Sequence, residues 1–155
     1  MKNIALLIGL ATLALGSSVA AQEKPPLPQE VVELIEKAEA GDAEAQGRLG
    51  SKYRYGIGVV RNDKEAVKWF RKAAEQGYAS AQFNLGAMYA NGEGVLEDSV
   101  MAYAWMNIAG ANGNSNARDN KSIVAKRMTK EQIAEAQKLS RKLYDEIEKR
   151  KSKGK

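Results

Sequence analysis

The sequence predicts an all-α fold, a short α/α superhelix in which pairs of helices stack one after another. Two observations carry this prediction. Residues 38–73 and 74–109 align at an offset of 36 without a gap, and 15 of the 36 aligned positions are identical. A fixed period of about 20–50 residues is the signature of a stacked repeat. Within each copy, apolar residues also recur every three or four positions, which is the spacing of a helix face.

The first half of each copy predicts a helix. Ala45, Leu49 and Tyr53 stand four residues apart, and the second copy repeats all three. This spacing places three apolar groups on one helix face. The glycine after each leucine, Gly50 or Gly86, predicts a close approach by a neighbouring helix, because such packing offsets the cost of about 0.5–1 kcal/mol for a glycine within a helix.

A glycine-rich turn, G-x-G-V, follows in each copy. It predicts the end of the first helix, since glycine readily takes the left-handed conformation that ends helices. Asp63 in the first copy, and Asp98 or Ser99 in the second, are predicted to cap the next helix. That second helix carries one large anchor, Trp69 or Trp105, between alanines. Both tryptophans, and the tyrosine of each first helix, are expected in the core because they recur with the structural glycines.

The pattern A-x-x-x-L-G-x-x-Y-x-x-G-x-G-V, followed by A-x-x-W-x-x-x-A, resembles the Sel-1-like repeat, a relative of the tetratricopeptide repeat. Two full copies occupy 38–73 and 74–109. A degenerate third copy follows at 109–128, where Lys121 replaces the expected leucine. The resemblance implies an α/α superhelix that serves as a protein-binding scaffold without catalytic residues. Family members occur in bacterial envelopes, among secreted factors and as eukaryotic membrane adaptors.

The N-terminal region predicts export. Residues 1–21 have the pattern of a signal peptide, with a lysine, a short apolar run and small residues before a cleavage point after Ala21. A retained anchor is disfavoured, since the run is short for the ~20 residues of a membrane span; no stable span is expected after cleavage. Residues 22–28 predict a proline-rich linker. Residues 29–40 predict a helix, compatible both with an N-terminal cap and with the second helix of a lost repeat.

The C-terminal region predicts a capping helix at 129–149 that covers the last repeat. Thr129 and Gln132 have the spacing of a capping box at its start. A coiled-coil seam is the alternative, for which the helix is short. With a cap at each end, the chain is expected to be a monomer. Residues 150–155 form a basic tail, because 141–155 hold seven Lys or Arg against three Asp or Glu, and a frayed, solvated end is the interpretation.

The composition argues against catalysis and metal binding. The chain has no cysteine and no histidine, so the usual ligands of zinc, copper and iron are missing, and no cofactor is expected. Its serines have no histidine base to activate them. Its glycine turns lack the lysine–hydroxyl pair of a phosphate-binding loop. Nucleic acid is not an expected partner of an exported chain without an aromatic-plus-basic pattern.

The expected function is therefore that of an adaptor or regulator in the bacterial cell envelope, periplasmic or secreted, that binds a protein or peptide. In tetratricopeptide-like stacks the first helices line the concave face. The candidate contacts are the first-helix residues outside the apolar face, namely Arg48, Ser51, Arg54, Phe83, Ala87 and Ala90. Phe83 replaces the Gly47 of the first copy and serves either as a peptide anchor or in packing. The alternative function is that of a structural protein held to an anionic surface by its basic C-terminus.

Overall fold

The computed structural model describes residues 26–154. The all-α fold is confirmed: this part of the chain forms seven helices and no strand. The helices are α1 Gln29–Glu39, α2 Ala43–Tyr55, α3 Asp63–Glu75, α4 Ala79–Asn91, α5 Ser99–Ala111, α6 Ser115–Ala125 and α7 Lys130–Lys153. The predicted signal peptide at 1–21 and most of the linker at 22–28 lie outside the described residues.

Helices α2 and α3 pack as one pair, and α4 and α5 pack as the next. We call α2, α4 and α6 the first helices, and α1, α3 and α5 the second helices. The buried Gln46 of α2 donates from Nε2 to the carbonyl of Ala38 at 3.0 Å, and Gln82 of α4 makes the same bond to Ala74 at 3.0 Å. Helix α1 therefore stands before α2 as α3 stands before α4, in the place of a second helix.

The first helices form the inner layer of the superhelix. Helix α2 contacts α4, and α4 contacts α6, and each of these contacts is more extensive than any between the second helices α3 and α5. Helices that approach one another in one layer and diverge in the other curve the stack toward the closer layer. The first helices therefore line the concave side.

Local sequence explains where the helices begin and end. Helices α2 and α4 end at Gly56 and Gly92, whose φ angles of 69° and 67° lie in the left-handed region that glycine adopts at least cost. At the start of α7, the hydroxyl of Thr129 accepts from the backbone N–H of Gln132 at 3.2 Å, and the Gln132 side chain accepts from the backbone N–H of Thr129 at 2.9 Å. The predicted capping box is confirmed.

The cap of α3 differs from the prediction. Asn62, not Asp63, is its N-cap, and its side chain accepts from the backbone N–H of Glu65 at 3.1 Å. The carboxylate of Asp63 instead accepts two bonds from Arg61, at 3.1 and 2.9 Å, and this pairing lowers the pKa of Asp63. In α5 the equivalent residue, Asp98, caps the helix as predicted.

The anchors of the repeats lie in the core. Trp69 and Trp105 retain 6% and 3% of their exposure, and Tyr89 is buried. Tyr53 is half-buried and packs against the edge of the core, so this one tyrosine is less enclosed than predicted. Trp69 belongs to a small cluster between α1, α2 and α3, while Trp105 belongs to the main core that runs from α3 to α7.

Helix α7 extends to Lys153, beyond the predicted end at 149 and into the predicted tail at 150–155. It packs against α5 rather than α6, and its last turns reach the end of α3. Arg150 Nη1 lies 2.7 Å from Glu75 Oε2, and the Lys151 side chain covers Gly77, where an added Cβ would lie 2.5 Å from Lys151 Cε. Cations at a helix C-terminus are stabilising, which explains why this end is docked instead of frayed.

Candidate functional site

Two rows of equivalent residues cross the concave face, with one member of each row on every first helix. The members of a row are 36 positions apart, and the two rows are three positions apart, which places them side by side on one helix face. The rows are Ser51, Ala87 and Ile123, and Arg48, Asn84 and Asn120. Ser51 and Ala87 are half-buried, whereas Ile123 is 58% exposed. The face therefore combines small or apolar groups with hydrogen-bonding groups.

The first row extends a set that the sequence suggested only in part. Ser51 and Ala87 were candidates, but Ile123 was not, because the third repeat is too degenerate to be read by similarity. The period alone places it, since 123 lies 36 positions after 87. Asn84 and Asn120 were also missed, and the same arithmetic from Arg48 identifies both.

Arg54, a predicted contact, is engaged within the chain. Its Nε and Nη2 lie 3.1 and 2.9 Å from Glu93 Oε2, and its Nη1 donates to Asn84 Oδ1 at 3.2 Å. Its guanidinium also stands 5.4 Å from the centre of the Tyr55 ring, and its side chain is 14% exposed. Arg54 therefore joins the first repeat to the second, and its charge is already neutralised.

Phe83 and Ala90 are also held by packing. Phe83 is half-buried against the main core, and Ala90 is 7% exposed. The packing around Phe83 has a counterpart in the first repeat, where an added Cβ on Gly47 would lie 2.7 Å from the Tyr78 ring. The positions equivalent to Gly47 and Tyr78 one repeat later are Phe83 and Asn114. The contact thus has its large residue at position 78 in the first repeat and at position 83, the equivalent of Gly47, in the second. This exchange favours the packing role for Phe83.

Arg48 borders two clefts. One is a small cleft between α2 and α4, shared with Ser51, Tyr78 and Asn84. The other is a groove of about 300 Å³ between α1 and α2, which we call the N-terminal groove. It is lined by Glu30, Glu33, Leu34, Lys37, Asp42, Glu44, Ala45 and Arg48. Acidic side chains outnumber basic ones there, four to two, so this end of the stack is anionic.

A cleft of about 850 Å³ lies between the end of α3 and the end of α7. Its charged lining residues include the paired Arg150 and Glu75 and the paired Lys151 and Glu148, which lie 2.7 and 2.8 Å apart. No sequence pattern predicts this cleft, because it forms only when α7 turns back along the second helices. Its ion pairs leave little free charge to attract a ligand.

Among the described residues, the carboxylates whose pKa is shifted are all shifted downward. Hydrogen bonds lower the pKa of Glu30, which accepts from Lys52, and of Glu131, which accepts from its own backbone and from Thr129. Both carboxylates are therefore kept ionised, whereas a general acid requires a raised pKa. Across residues 26–154, Asp and Glu side chains nowhere gather in threes to hold a metal ion. None of the seven described helices has the length and apolar content to cross a bilayer.

Comparisons with known proteins identify the family. The Sel1 repeat model matches residues 43–78 and 79–114, with the period of the sequence alignment and boundaries five residues later. No curated protein matches the chain. A protective antigen of uropathogenic Escherichia coli strains, which displays an SLR fold, is similar in structure with a TM-score of 0.74 and 36% identity over 76% of this chain and 25% of that one.

A Sel1 repeat protein from Oxalobacter formigenes is similar with a TM-score of 0.58 and 35% identity over 60% of this chain. This chain spans 25% and 38% of the lengths of the two solved proteins. Both the repeat and the arrangement of the helices are thus shared, whereas most of each solved protein has no counterpart here. The resemblance found in the sequence is thereby confirmed: the chain carries two Sel1 repeats and shares the fold of solved Sel1 repeat proteins.

Proposed function

We propose that the protein is a non-enzymatic adaptor or regulator that binds another protein or a peptide on its concave face, in the bacterial cell envelope. Sel1 repeat proteins are generally protein-interaction adaptors, and their fold is typically a non-enzymatic scaffold. The proposal that the concave face is the binding surface rests on one observation, namely that two rows of equivalent residues cross all three first helices. The envelope setting rests on the signal-peptide pattern of residues 1–21.

The concave face suits a short peptide or a single helix. Ser51, Ala87 and Ile123 offer a strip of small and apolar groups to an apolar side of the ligand. The exposed Arg48 has no carboxylate within 4.0 Å among the described residues and is free to pair with an acidic group of the ligand. Three first helices give a small surface, and small interfaces are typical of transient contacts.

The repeats present this face as a rigid surface. The bonds from Arg54 to Glu93 and Asn84 fix α2 relative to α4, so little ordering is required on binding. Ordering costs subtract directly from affinity. Arg54 therefore acts in binding by positioning the rows, and Arg48 by direct contact.

The alternative, a structural protein held by its basic C-terminus, has less support. Two of the cations expected to reach an anionic surface are paired within the chain, Arg150 with Glu75 and Lys151 with Glu148. A lipid or polymer would have to compete with both ion pairs. We therefore assign no anchoring role to this end of α7.

The test begins with capture of partners from an envelope extract on the immobilised protein, followed by titration of each purified partner by calorimetry. The probe variants are Ile123→Glu and Arg48→Glu, and each is expected to weaken binding by about tenfold or more, the scale of losing a central interface contact. The matched controls are Leu96→Glu, which alters an apolar residue that is 90% exposed on the α4–α5 turn, and Arg141→Glu on α7.

Circular dichroism first verifies that all four variants keep their helical content. Equal affinity of the probe variants and the wild type would exclude the concave face. Loss of binding in Leu96→Glu or Arg141→Glu, with the probes unaffected, would move the binding site to the turns or to α7. A partner that is released by truncation after Lys149, and by salt, would restore the anchoring alternative.

A further inference from the structure

Each end of the stack has one helix of a repeat without the other, a second helix at the start and a first helix at the end. Together these two helices would make one complete repeat. At the start of the part that the structure describes, residues 26–154, α1 is a second helix with no first helix before it. At the end, α6 is a first helix whose expected second helix is absent from its side, because α7 packs on α5 instead. Helix α7 therefore covers the last full repeat, as expected, but leaves the far side of α6 uncovered.

Burial at equivalent positions shows that both half-repeats are open. On α6, Arg118 and Ser122 are exposed, whereas the equivalent residues of α2, Gln46 and Gly50, are buried, Gly50 against the Phe70 ring of α3. On α1, Glu33 is exposed where the equivalent residue of α3, Trp69, is buried. In each case the exposed residue is polar or charged at a position that a neighbouring helix covers inside the stack.

We propose that the protein self-associates head to tail, with α6 of one copy packed into the N-terminal groove between α1 and α2 of the next. In this arrangement α6 supplies the first helix that α1 lacks, and α1 supplies the second helix that α6 lacks. The stack then continues across the junction, and the concave faces of successive copies join. The inference concerns the ends of the stack and does not rest on the proposed function.

The repeat register identifies the residues that meet. Inside the stack, Leu49 and Trp69 lie in one cluster, and Leu85 and Trp105 occupy the same positions in the main core. Lys121 lies 36 positions after Leu85, and Glu33 lies 36 positions before Trp69. By this period, Lys121 of one copy would lie opposite Glu33 of the next copy. A buried apolar pair is thus replaced at the junction by residues of opposite charge.

These two residues have no ionic partner among the described residues of their own chain. Lys121 Nζ donates to the neutral Asn107 Oδ1 at 2.8 Å, and Glu33 accepts from Gln29 at 3.3 Å; neither forms an ion pair within 4.0 Å in the part of the chain that the structure covers. Pairing across the junction would compensate both charges. Such complementarity fixes the register and orientation of an interface.

The wider charge distribution agrees with this pairing. Helix α6 and its C-cap, residues 115–126, carry three basic side chains and one acidic side chain. The N-terminal groove that would receive them carries four acidic and two basic side chains. The net charges are therefore of opposite sign. A head-to-tail contact of this kind does not close on itself and produces chains of copies, whose length is set by concentration and salt.

Sedimentation velocity of the purified protein, over a range of concentrations, tests the proposal. At low salt the sedimentation coefficient of the wild type is expected to rise with concentration, and at about 0.5 M NaCl, where the Debye length falls below 5 Å, it should rise less. Glu33→Lys and Lys121→Glu place like charges at the junction, so each is expected to lower the association constant at least tenfold, as a rough minimum for like-charge contacts. Glu33→Lys/Lys121→Glu should recover most of it.

A mixture of the two single variants gives the sharpest result. Mixing brings opposite charges together at both kinds of junction, the natural one and the reversed one that the double variant carries, so the two variants are expected to form alternating chains together although neither associates strongly alone. The control is Glu36→Lys, which changes the charge of α1 equally at a position whose equivalent, Lys72, is exposed inside the stack; it should associate like the wild type after allowance for net charge. Circular dichroism verifies that every variant is folded.

The proposal is overturned if the wild type sediments as a monomer at all concentrations up to about 1 mM, far above the micromolar range of ordinary complexes. It is equally overturned if the single variants associate as strongly as the wild type, if the double variant fails to recover, or if Glu36→Lys weakens association as much as Glu33→Lys.

Discussion

The close approach of α2 and α3 at Gly50 makes a quantitative prediction. An added Cβ at this position would lie 2.8, 2.9 and 3.0 Å from three atoms of the Phe70 ring, and Phe70 is fully buried. A ring enclosed on all sides cannot rotate away, so Gly50→Ala forces α2 and α3 apart. By contrast, an added Cβ at Gly110 in α5 would lie 3.4 Å from Arg118 Cγ, the mobile stem of an exposed side chain.

The energies follow from two opposing effects. In both variants alanine favours the helix by about 0.5–1 kcal/mol over glycine. At Gly50 the overpacking costs about 1–3 kcal/mol, so Gly50→Ala should lower the free energy of unfolding by up to about 2.5 kcal/mol. At Gly110 no comparable clash arises, so Gly110→Ala should raise the free energy of unfolding by up to about 1 kcal/mol.

Urea denaturation followed by circular dichroism measures both variants against the wild type. For a domain of this size, 1 kcal/mol corresponds to a Tm shift of about 3–5 °C, so thermal melts should separate the two variants clearly. If Gly50→Ala is as stable as Gly110→Ala, the absence of a side chain at Gly50 is not what allows the helices to pack. The double variant Gly50→Ala/Phe70→Leu tests the same contact. If the added methyl group clashes with the Phe70 ring, Phe70→Leu should lower the free energy of unfolding by less in the Gly50→Ala background than in the wild type. If there is no clash, Phe70→Leu should have the same cost in both.

Three further predictions concern single contacts. Arg54→Met keeps the apolar stem but leaves Glu93 without its partner, and should cost about 1–3 kcal/mol in urea denaturation; a loss below the error of the method would contradict its assigned role. Asn62→Ala should cost about 1 kcal/mol through the lost helix cap, and more than Asp63→Ala, whose side chain binds an exposed arginine; the reverse order in thermal melts would restore the cap predicted from sequence. The lowered pKa of Glu30 means that its bond to the lysine of α2 stabilises the fold above about pH 4.3, the ordinary pKa of Glu, and is lost as the pH falls through the folded-state pKa. Glu30→Gln should therefore lower Tm by more at pH 7 than at pH 3, and an equal shift at both values would contradict this contact.

The features predicted correctly from the sequence are those that recur. The period of 36 placed both helix pairs, the glycines at the close approaches and the two tryptophans, because each repeat solves the same packing problem with nearest neighbours. Even the cap of α3 was available from the period, since Asn62 is equivalent to Asp98. The prediction of Asp63 as the cap rests on its residue type and not on its position in the repeat. In the structure the carboxylate of Asp63 pairs with the neighbouring Arg61 instead.

The features that were missed depend on differences between repeats. No sequence pattern predicts the pairing of Arg54, because its partner, Glu93, is 39 residues away and stands where the first repeat has Ile57. The solvated tail was expected because a lysine-rich end usually frays, but Arg150 meets Glu75 across 75 residues of sequence. No local pattern reports contacts of this length. The candidate site was similarly found in part, since its third-repeat member, Ile123, lies where the similarity ends.

The course of α7 changes how this small array must unfold. In a simple solenoid each repeat touches only its neighbours, so stability is a sum of local terms and either end can open alone. Here one helix begins beside the last repeat and is fastened by its final turns to the second helix of the first repeat. Opening α3 releases the end of α7, and releasing α7 uncovers α5. The last helix thus contacts the first repeat, although the two are distant in sequence. Both ends of the chain therefore fold and unfold together in one cooperative transition.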